Sequence, residues 1–461
     1  MPLNNNIVVA SNRGPALGDS SKYASGGLVQ ALLPSLTEIV QKEAYRNQRF
    51  EVTWYTCNIS EDPKMSFHEN EMFGIKLNQI EVTEKLYEDA YGFVANRFLW
   101  FLHHGLFKTY PEIAFDDKFY KAWNNYRDFN ELFARSISET AAKNSLVLIQ
   151  DYHLSLVPKI LKNFRSDLKI THFSHIPFAS MNDLKNVPND IVLELLTGLN
   201  PENTAAGFHT PVWEDRFKTA YRHYVKKIPN TFSLSLGVDA MGLISLKKSD
   251  TFKEYQNQIK ANEKALLVRS DRLEPSKNIL NGFLAFEQFL IEYPEYLNKV
   301  QFKAFIYPSR TTIYEYKVLS EEVQKTVKEI NNRFKDADFD PIELIIQNDR
   351  EVSLAALSVA DIIIVNSVAD GMNLVVKEAI VLNNNNCSII LSVNTGAYYQ
   401  FQDLVIGIDP MDLSDTANAF CVALNQDPAT KSANLTKLKQ MCNSETAETW
   451  FEALVEITAR Q

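Results

Sequence analysis

The chain has 461 residues, a formal net charge of −10, 45% hydrophobic residues and 23% charged residues. This length accommodates two domains of roughly 200 residues each, and the composition is typical of a globular protein. The acidic balance argues against nucleic acid as a partner, and no stretch approaches the roughly 20 apolar residues that cross a membrane.

The cysteines and the N-terminal residues indicate the compartment. No two of the four cysteines stand at Cys-x-x-Cys spacing, which argues against a disulfide framework or a zinc site. Residues 1–6 carry no basic segment, and the apolar run at residues 7–10 is too short for a signal peptide. The sequence therefore predicts a cytoplasmic protein.

Short apolar runs that end in a polar residue recur through the first half of the chain. Residues 7–10, 145–150 and 169–174 read as strands, and they lead into Arg13, Asp151 and His175 respectively. Helical patterns separate them. Strands that alternate with helices at this spacing predict βαβ units and a parallel sheet.

Two further stretches of the first half are candidates for ligand contacts. Gly26 and Gly27 lie between the first strand and a helical pattern, as in loops that approach phosphate, although a plain loop is an equally good interpretation. Pro34 is expected to kink or restart that helix. Residues 86–107 are rich in aromatic side chains, most of which we expect in the core and a few at a sugar site.

The second half repeats the alternating pattern. Six more strands are predicted at residues 264–269, 300–306, 342–346, 361–365, 388–391 and 404–408, with helices between most of them. The chain crosses into this half near residues 228–237. The sequence thus predicts α/β domains at residues 1–235 and 236–440, and a C-terminal helix in residues 441–461 that packs back toward the first domain.

The run at residues 361–378 is the most informative in the sequence. Four branched apolar residues (362–365) predict a strand buried on both faces, followed by Asp370, Gly371 and the start of a helix. A helix N-terminus attracts anionic oxygen, and Glu378 lies two helical turns further on. The run is typical of a sugar-nucleotide site, and the alternative is a polar corner that faces water.

Arg272 and Lys277 follow another predicted strand and form a candidate cationic pair. Two fixed cations can stabilise the charge on a departing diphosphate, a task that a metal ion performs in other enzymes. The sequence contains no His-Glu-x-x-His and no Asp-x-Asp at a strand end, so we expect no metal cofactor. The alternative is a salt bridge within the loop, and for Arg310, a third cation, it is a surface position.

Seven motifs, in order along nearly the whole chain, together resemble the trehalose-6-phosphate synthase family. The resemblance implies a GT-B fold, in which two Rossmann-like doubly wound domains face a central cleft. It also implies retaining transfer of glucose from a nucleotide diphosphate glucose, UDP- or GDP-glucose, to glucose 6-phosphate. The motifs are Ser-Asn-Arg at 11–13, Gly-Gly-Leu at 26–28, Asp-Tyr-His at 151–153, His-Ile-Pro-Phe at 175–178, Arg-Leu-x-x-Ser-Lys at 272–277, Pro-Ser-Arg at 308–310 and Asp-Gly-Met-Asn-Leu-Val-x-Lys-Glu at 370–378.

The resemblance further implies the residues that hold each substrate. Arg272 and Lys277 hold the donor diphosphate, Glu378 the ribose, and His175 contacts the donor sugar near the reacting centre. The implied catalytic residues are His175, Arg272, Lys277 and Asp370. The implied donor-binding residues are Gly27, Arg272, Lys277, Asp370, Gly371, Met372, Asn373, Leu374 and Glu378. The implied acceptor-binding residues are Arg13, Tyr91, Trp100, Asp151 and Arg310.

The chain departs from the family pattern at four positions. These are Cys57, Glu274 in place of the usual aspartate, Asn278 in place of glycine, and Ala369 in place of arginine. Cys57 stands where better-known bacterial members have a tryptophan in the acceptor pocket. Another phosphorylated acceptor, such as glycerol 3-phosphate or an aminocyclitol phosphate, therefore remains an alternative. A catalytically silent sugar-phosphate sensor and a dehydrogenase are weaker alternatives, and a homo-oligomer is left open.

Overall fold

The computed structural model describes residues 6–15, 27–41, 51–61, 68–108, 113–260, 264–310, 313–335 and 339–461. The chain divides into two compact units: the first unit is Met1–Leu236 with Ala447–Gln461, and the second unit is Gly237–Thr446. The predicted boundaries lie after residues 235 and 440. The latter falls inside a helix that continues to Ser444, because no glycine or proline marks the turn that follows it.

The first unit is built on an eight-stranded sheet in the order β3-β4-β2-β1-β5-β6-β7-β8. Among the described strands of this sheet, β3 and β4 form the one antiparallel pair. The chain therefore winds outward in both directions from β1 and β5. Ligands bind beyond the carboxyl ends of the strands at such a switch point. The strands are β1 Asn6–Ala10, β2 Glu51–Ile59, β3 His68–Met72, β4 Ile75–Val82, β5 Leu146–Gln150, β6 Lys169–Ser174, β7 Thr204–Phe208 and β8 Thr231–Ser233.

Helices connect these strands, and one of them is a π-helix of 12 residues, Glu88–Leu99. π-Helical segments are rare in proteins, and those that occur often lie at functional sites. The helix Gly27–Gln41 contains Pro34, where the sequence predicts a kink or restart. The α-helices are Gly27–Gln41, Glu84–Tyr87, Trp100–His103, Asp117–Thr140, Val157–Phe164, Met181–Leu184, Asn189–Leu199, Pro211–Tyr224 and Ala447–Ala459.

The helix Ala447–Ala459 belongs to the first unit although it follows the whole second unit in the chain. The hydroxyl of Thr458 donates to the hydroxyl of Thr171 in β6 at 2.9 Å. The ring of Trp450 lies 5.1 Å from that of Phe173 and 5.6 Å from that of His175, between centroids. The apolar stripe of this helix is therefore buried against the strands that carry candidate site residues.

The second unit is a six-stranded, fully parallel sheet in the order β11-β10-β9-β12-β13-β14. This is the strand order of dinucleotide-binding Rossmann folds, and its switch point lies between β9 and β12. The strands are β9 Ala265–Arg272, β10 Val300–Tyr307, β11 Ile342–Ile346, β12 Ile362–Val365, β13 Ser388–Ser392 and β14 Ile406–Ile408.

Apolar layers cover both faces of this sheet. In β12, Ile362 and Ile364 pack into one layer while Ile363 and Val365 pack into the other, which confirms the prediction of a strand buried on both faces. The covering helices are Ala240–Leu246, Asp250–Lys260, Ile279–Glu292, Tyr314–Phe334, Arg350–Val359, Leu374–Leu382, Gly396–Phe401, Leu413–Asn425 and Pro428–Ser444. Among the helices that the structure describes, none is long and apolar enough to cross a membrane.

Candidate functional site

The carboxyl ends of β9 and β12 bring together residues that are 93 positions apart in the sequence. Lys277 Nζ lies 2.5 Å from Asp370 Oδ2 and 3.9 Å from Asp271 Oδ1. Burial lowers the pKa of Lys277, but the carboxylates of Asp370 and Asp271 outweigh it, so the net shift is upward. Lys277 is thus a fixed positive charge at the switch point of the sheet.

A second buried ion pair, between Arg269 and Asp271, contacts the backbone of this lysine. Arg269, which is fully buried in β9, donates to Asp271 Oδ2 from Nε at 3.1 Å and from Nη2 at 2.8 Å. Its Nη2 also donates to the carbonyl of Lys277 at 3.0 Å. Gly282 leaves room for it, because a Cβ there would lie 2.5 Å from Arg269 Nη1. Burial raises the pKa of Asp271 despite both cations.

Asn278 ends the short turn that carries Lys277, and it adopts the left-handed conformation with φ of +54°. Glycine is the usual residue there in the family that the sequence resembles, and asparagine tolerates this conformation better than other residues with a Cβ. Its Nδ2 also donates to the carbonyls of Asn366 at 3.1 Å and Pro410 at 2.6 Å. This departure from the family pattern therefore preserves the backbone of the turn.

We expect Asn278→Ala to lower the free energy of unfolding by about 2–3 kcal/mol, because it loses both hydrogen bonds and strains the left-handed backbone. Asn278→Gly loses the hydrogen bonds but not the backbone freedom, so its loss should be about 1 kcal/mol. Urea unfolding of the two variants measures the difference. Equal losses in both would contradict the conformational part of this account.

Arg272 and Arg310 both approach the buried carboxylate of Glu274. Arg272 Nη1 lies 3.0 Å from Glu274 Oε1 while 58% of its side chain is exposed. Arg310 Nη2 lies 4.0 Å from the same oxygen, and its Nη1 donates to the hydroxyl of Tyr316. The predicted salt bridges within the loop thus exist, between Arg272 and Glu274 and, at 3.9 Å, between Lys277 and Asp271. Lys277 also pairs with Asp370, which lies outside the loop. Arg310, with 11% of its side chain exposed, is not a surface residue.

The turn after β12 has the features that the sequence predicts for a ligand seat. Asn373 adopts φ of +68° and its side chain accepts from the amide of Val376, which caps the helix Leu374–Leu382. Asn373 Nδ2 also donates to Asp370 Oδ2 at 3.2 Å. Gly396 allows close approach to this turn, since a Cβ there would lie 2.0 Å from the carbonyl oxygen of Gly371. Met372, between Gly371 and Asn373 in the sequence, is buried.

Glu378 projects from the same helix and is already paired. Its Oε1 lies 2.5 Å from Arg350 Nη2, at the start of the helix Arg350–Val359. Its side chain is 14% exposed and that of Arg350 is 42% exposed. A carboxylate has capacity for several hydrogen bonds, so Glu378 retains acceptor sites beside this arginine. The sequence reasoning gave Arg350 no role.

In the first unit, Asp151 follows β5 in a strained conformation with φ of +71° and ψ of 167°. Residues other than glycine adopt this region only when their surroundings enforce it, and such strain is typical of functional sites. Its amide donates to the carbonyl of Phe173 at 2.8 Å, and its carbonyl accepts from His172 Nε2 at 3.0 Å. Its Oδ1 accepts from the amide of His175 at 3.1 Å. The carboxylate is thereby fixed at the switch point of the sheet.

His175 follows β6, next to Asp151. Its Nε2 lies 2.9 Å from Oε1 of Gln150, the last residue of β5. Burial, with the neighbouring imidazoles of His209 and His172, lowers the pKa of His175 well below its usual value. Its imidazole is therefore neutral at physiological pH. Gln150 was not singled out from the sequence, where it reads only as the end of an apolar strand.

Two buried histidines, His103 and His172, make the fold sensitive to acid. Burial lowers the pKa of His103 to about 3 and that of His172 to about 4, so below the ordinary value of 6.5 the unfolded chain binds protons that the folded chain does not. We expect the free energy of unfolding to fall by about 2 kcal/mol for each of these two between about pH 7.5 and about pH 5.

Urea unfolding at the two pH values measures this loss. His172→Phe, which keeps a ring of similar shape without a titrating group, should show about 2 kcal/mol less dependence on pH than the wild type. A pH dependence identical to that of the wild type would contradict the assignment to His172.

Arg13 and Tyr91 meet beside the carboxyl end of β1. Arg13 Nη2 donates to the hydroxyl of Tyr91 at 2.5 Å, and its guanidinium carbon lies 5.2 Å from the centroid of that ring. Tyr91, in the π-helix, stacks between Tyr87 and His153 with centroid distances of 4.6 and 5.4 Å. The amide of Cys57 donates to the carbonyl of Asn12 at 3.1 Å, so this cysteine lies beside the same loop.

Two predicted site residues, Trp100 and Gly27, have few contacts that bear on their proposed roles. Trp100 begins the helix after the π-helix and is only 3% exposed, with its ring 4.0 Å from that of His104 between centroids. Gly27 is the first residue of its helix, whereas Gly26 lies outside the described residues. The first unit thus brings together Arg13 with Tyr91 and Asp151 with His175. The second unit brings together Arg272 with Arg310 and Lys277 with Asp370.

In the described parts of the chain, no group of three or more histidine, cysteine, aspartate or glutamate residues is arranged to hold a metal ion. The expectation that no metal cofactor is needed stays a prediction. What the described residues supply is fixed positive charge, a capped helix N-terminus and oriented carboxylates at the switch points of two sheets.

The chain folds as two Rossmann-like doubly wound α/β units, which confirms the predicted GT-B fold class. The sequence profile described as "Glycosyltransferase family 20" matches residues 5–460, so the chain belongs to glycosyltransferase family 20.

Relatives agree with this assignment, and a solved structure shares the fold. A UDP-forming alpha,alpha-trehalose-phosphate synthase of Schizosaccharomyces pombe is 30% identical over 97% of this chain and 89% of its own length. That of Dictyostelium discoideum, protein A, is 29% identical, and the chain spans 61% of its length. An E. coli structure described as trehalose-6-phosphate bound with UDP-2-fluoro glucose has a TM-score of 0.85 at 19% identity, covering 99% of both chains.

Proposed function

We propose that this chain transfers glucose, with retention of configuration, from UDP- or GDP-glucose to glucose 6-phosphate, which gives trehalose 6-phosphate. The observation that carries the proposal is the 2.5 Å pair between Lys277 Nζ and Asp370 Oδ2 at the switch point of the second unit's sheet. Ligands bind at this place in sheets of this type. The relatives named as UDP-forming trehalose-phosphate synthases support the same reaction.

The second unit carries most of the proposed donor site. Arg272 and Lys277 bind the diphosphate, and the first amides of the helix Leu374–Leu382 add the positive end of its dipole. Asp370 accepts hydrogen bonds from the donor sugar, and Glu378 accepts them from the ribose beside Arg350. The remaining donor contacts are proposed for the backbone of Gly371, Met372, Asn373 and Leu374, and for Gly27 of the first unit.

The proposed acceptor site uses cations for the phosphate and a carboxylate for the sugar. Arg13 and Tyr91, whose mutual contact fixes both side chains, bind the acceptor phosphate together with Arg310. Asp151 accepts hydrogen bonds from acceptor hydroxyls, and its strained backbone holds the carboxylate in one direction. Trp100 is proposed to line this pocket from behind, since its side chain is buried.

In the proposed reaction, the acceptor hydroxyl oxygen bonds to the anomeric carbon on the face from which the diphosphate leaves. The bond from that carbon to the diphosphate oxygen breaks, and the acceptor proton passes to the departing phosphate oxygen. Arg272 and Lys277 stabilise the negative charge that builds there, as a metal ion does in other enzymes. His175 contacts the donor sugar as a neutral imidazole and supplies no charge of its own.

Diphosphate release tests this proposal. Purified protein is mixed with UDP- or GDP-glucose, with and without glucose 6-phosphate, and free nucleoside diphosphate is measured. We expect release only when donor and acceptor are both present, at a rate that a chelator leaves unchanged. No release with either donor would contradict the reaction, and loss of release after chelation would contradict the metal-independent part.

A second candidate keeps the fold and donor but changes the acceptor. It is favoured by Cys57, a small residue beside the Arg13 loop at a position where the sequence resemblance leads us to expect a tryptophan. A smaller side chain leaves space for an acceptor of another shape, while Arg13 and Tyr91 still require a phosphate. Replacing glucose 6-phosphate by glycerol 3-phosphate or an aminocyclitol phosphate in the same assay separates the two candidates.

We place the protein in the reducing cytoplasm. All four cysteines are free thiols. Burial raises the pKa of Cys57 and of Cys387 to about 12 and that of Cys442 to about 11. These three thiols therefore stay protonated at physiological pH, the form in which a thiol is unreactive. Free, unreactive thiols fit a reducing compartment.

A further inference from the structure

Glu274 is the charged residue between Arg272 and Lys277, and the proposed function gives its side chain no role. It follows β9 and precedes the turn Pro275–Lys277, and its side chain is completely buried. Its carbonyl accepts from the amide of Lys277 at 3.0 Å. The backbone of Glu274 is therefore part of the turn that presents the lysine.

Among the described residues, the hydrogen-bond and ion-pair partners of this carboxylate lie beside one of its two oxygens. Glu274 Oε1 lies 3.0 Å from Arg272 Nη1, 3.1 Å from the Ser309 hydroxyl and 4.0 Å from Arg310 Nη2. The other oxygen, Oε2, is buried and has no hydrogen-bond partner among the described residues. Burial raises the pKa of Glu274, but the charges of Arg272, Arg310 and Lys277 outweigh it, so the net shift is downward. The group is therefore ionised.

A buried carboxylate with an unsatisfied oxygen costs folding free energy, so a position that keeps one requires an explanation. The two guanidinium groups beside it are carried by long side chains, which are flexible unless a partner holds them. Arg310 is also held by Tyr316, whereas the exposed guanidinium of Arg272 pairs with Glu274. Glu274 is thus placed to restrain both arginines before any anion arrives, and to compete with that anion for them.

We infer that Glu274 is a positioning residue that holds Arg272 and Arg310 in one arrangement for the two phosphate groups of the substrates. The inference rests on the proposed function, which assigns Arg272 to the donor diphosphate and Arg310 to the acceptor phosphate. It extends that function by naming the residue that fixes the geometry between them. Preorganised charge lowers the barrier more than the same charge on a free side chain.

Glu274→Gln tests this role because it removes the negative charge and keeps the size of the side chain. Because the competing carboxylate is gone, we expect UDP and inorganic phosphate each to bind about 2–5-fold more tightly. The arginines are no longer fixed, so kcat should fall at least about 10-fold. Isothermal titration measures the binding, and diphosphate release measures kcat.

Two further variants make the result specific. Glu274→Asp keeps the charge on a shorter side chain and should recover part of the lost kcat. Glu287→Gln, which breaks the ion pair of Glu287 with Arg333 at 3.0 Å on two helices of the same unit, is the matched control and should change neither binding nor kcat.

Each outcome decides the inference. Tighter anion binding with lower kcat supports it, because a merely structural role would weaken binding, kcat and thermal stability together. That joint loss, or unchanged binding and kcat in Glu274→Gln, would overturn it. If the wild type binds UDP and phosphate but turns over no acceptor, the proposed function fails, while the comparison of dissociation constants still decides whether Glu274 competes for the two arginines.

Discussion

Arg272→Ala is expected to lower kcat about 100- to 1,000-fold, because it removes one of two charges that stabilise the departing diphosphate. The free energy of unfolding should also fall, by about 1–3 kcal/mol, because the buried carboxylate of Glu274 loses the nearer of its two arginines. Steady-state diphosphate release and urea unfolding measure the two effects. Arg272→Lys should recover only part of kcat, because a lysine does not bind two phosphate oxygens through a planar fork.

Arg333→Ala is the matched control for this variant. Arg333 is exposed to a similar extent, 56%, and it also pairs with a glutamate, Glu287, at 3.0 Å. It lies on the helix Tyr314–Phe334, and the proposed function gives it no role. We expect wild-type kcat in this control. Wild-type kcat in Arg272→Ala would refute the role of Arg272 in leaving-group stabilisation.

Arg269→Met is expected to lower the free energy of unfolding by about 3–5 kcal/mol, the largest stability effect that we predict. The substitution leaves Asp271 buried without its two short hydrogen bonds to the guanidinium and removes a donor from the carbonyl of Lys277. Loss of the positive guanidinium charge would raise the pKa of Asp271 further. The loss should therefore shrink as the pH falls and the carboxyl takes up a proton.

A double variant separates the pair from simple packing. Combining Arg269→Met with Asp271→Asn removes both charges, so we expect it to be more stable than Arg269→Met alone. Thermal and urea unfolding of the wild type, the two single variants and the double variant complete the cycle. If the two substitutions are additive, the ion pair carries no coupling and this account of the cluster is wrong.

Much of the fold follows from the sequence because each predicted core strand is an apolar run between polar turns. β12, for example, consists of four branched residues with no polar face, and both of its faces are covered. The hairpin β3–β4 was missed because β3 is largely polar. Its two-residue turn, Phe73 and Gly74, has positive φ at both positions, and phenylalanine is not a residue that signals such a turn.

The site was predictable in composition but not in pairing. Arg272 ends its strand, and Lys277 and Asp370 follow theirs, so their place at the sheet edge follows from the alternating pattern. The contact between Lys277 and Asp370 spans 93 residues and depends on which strands become neighbours, which periodicity does not reveal. Arg269 gave one signal, a charged residue inside an apolar strand, and only the structure shows that Asp271 neutralises it.

The position of the helix Ala447–Ala459 has a consequence for biosynthesis. A ribosome makes the second unit as one uninterrupted stretch, so that sheet can close while the nascent chain is still being extended. The sheet of the first unit is made earlier but lacks the indole of Trp450 beside His175 until translation has passed residue 450. Maturation of the half that was synthesised first should therefore finish last.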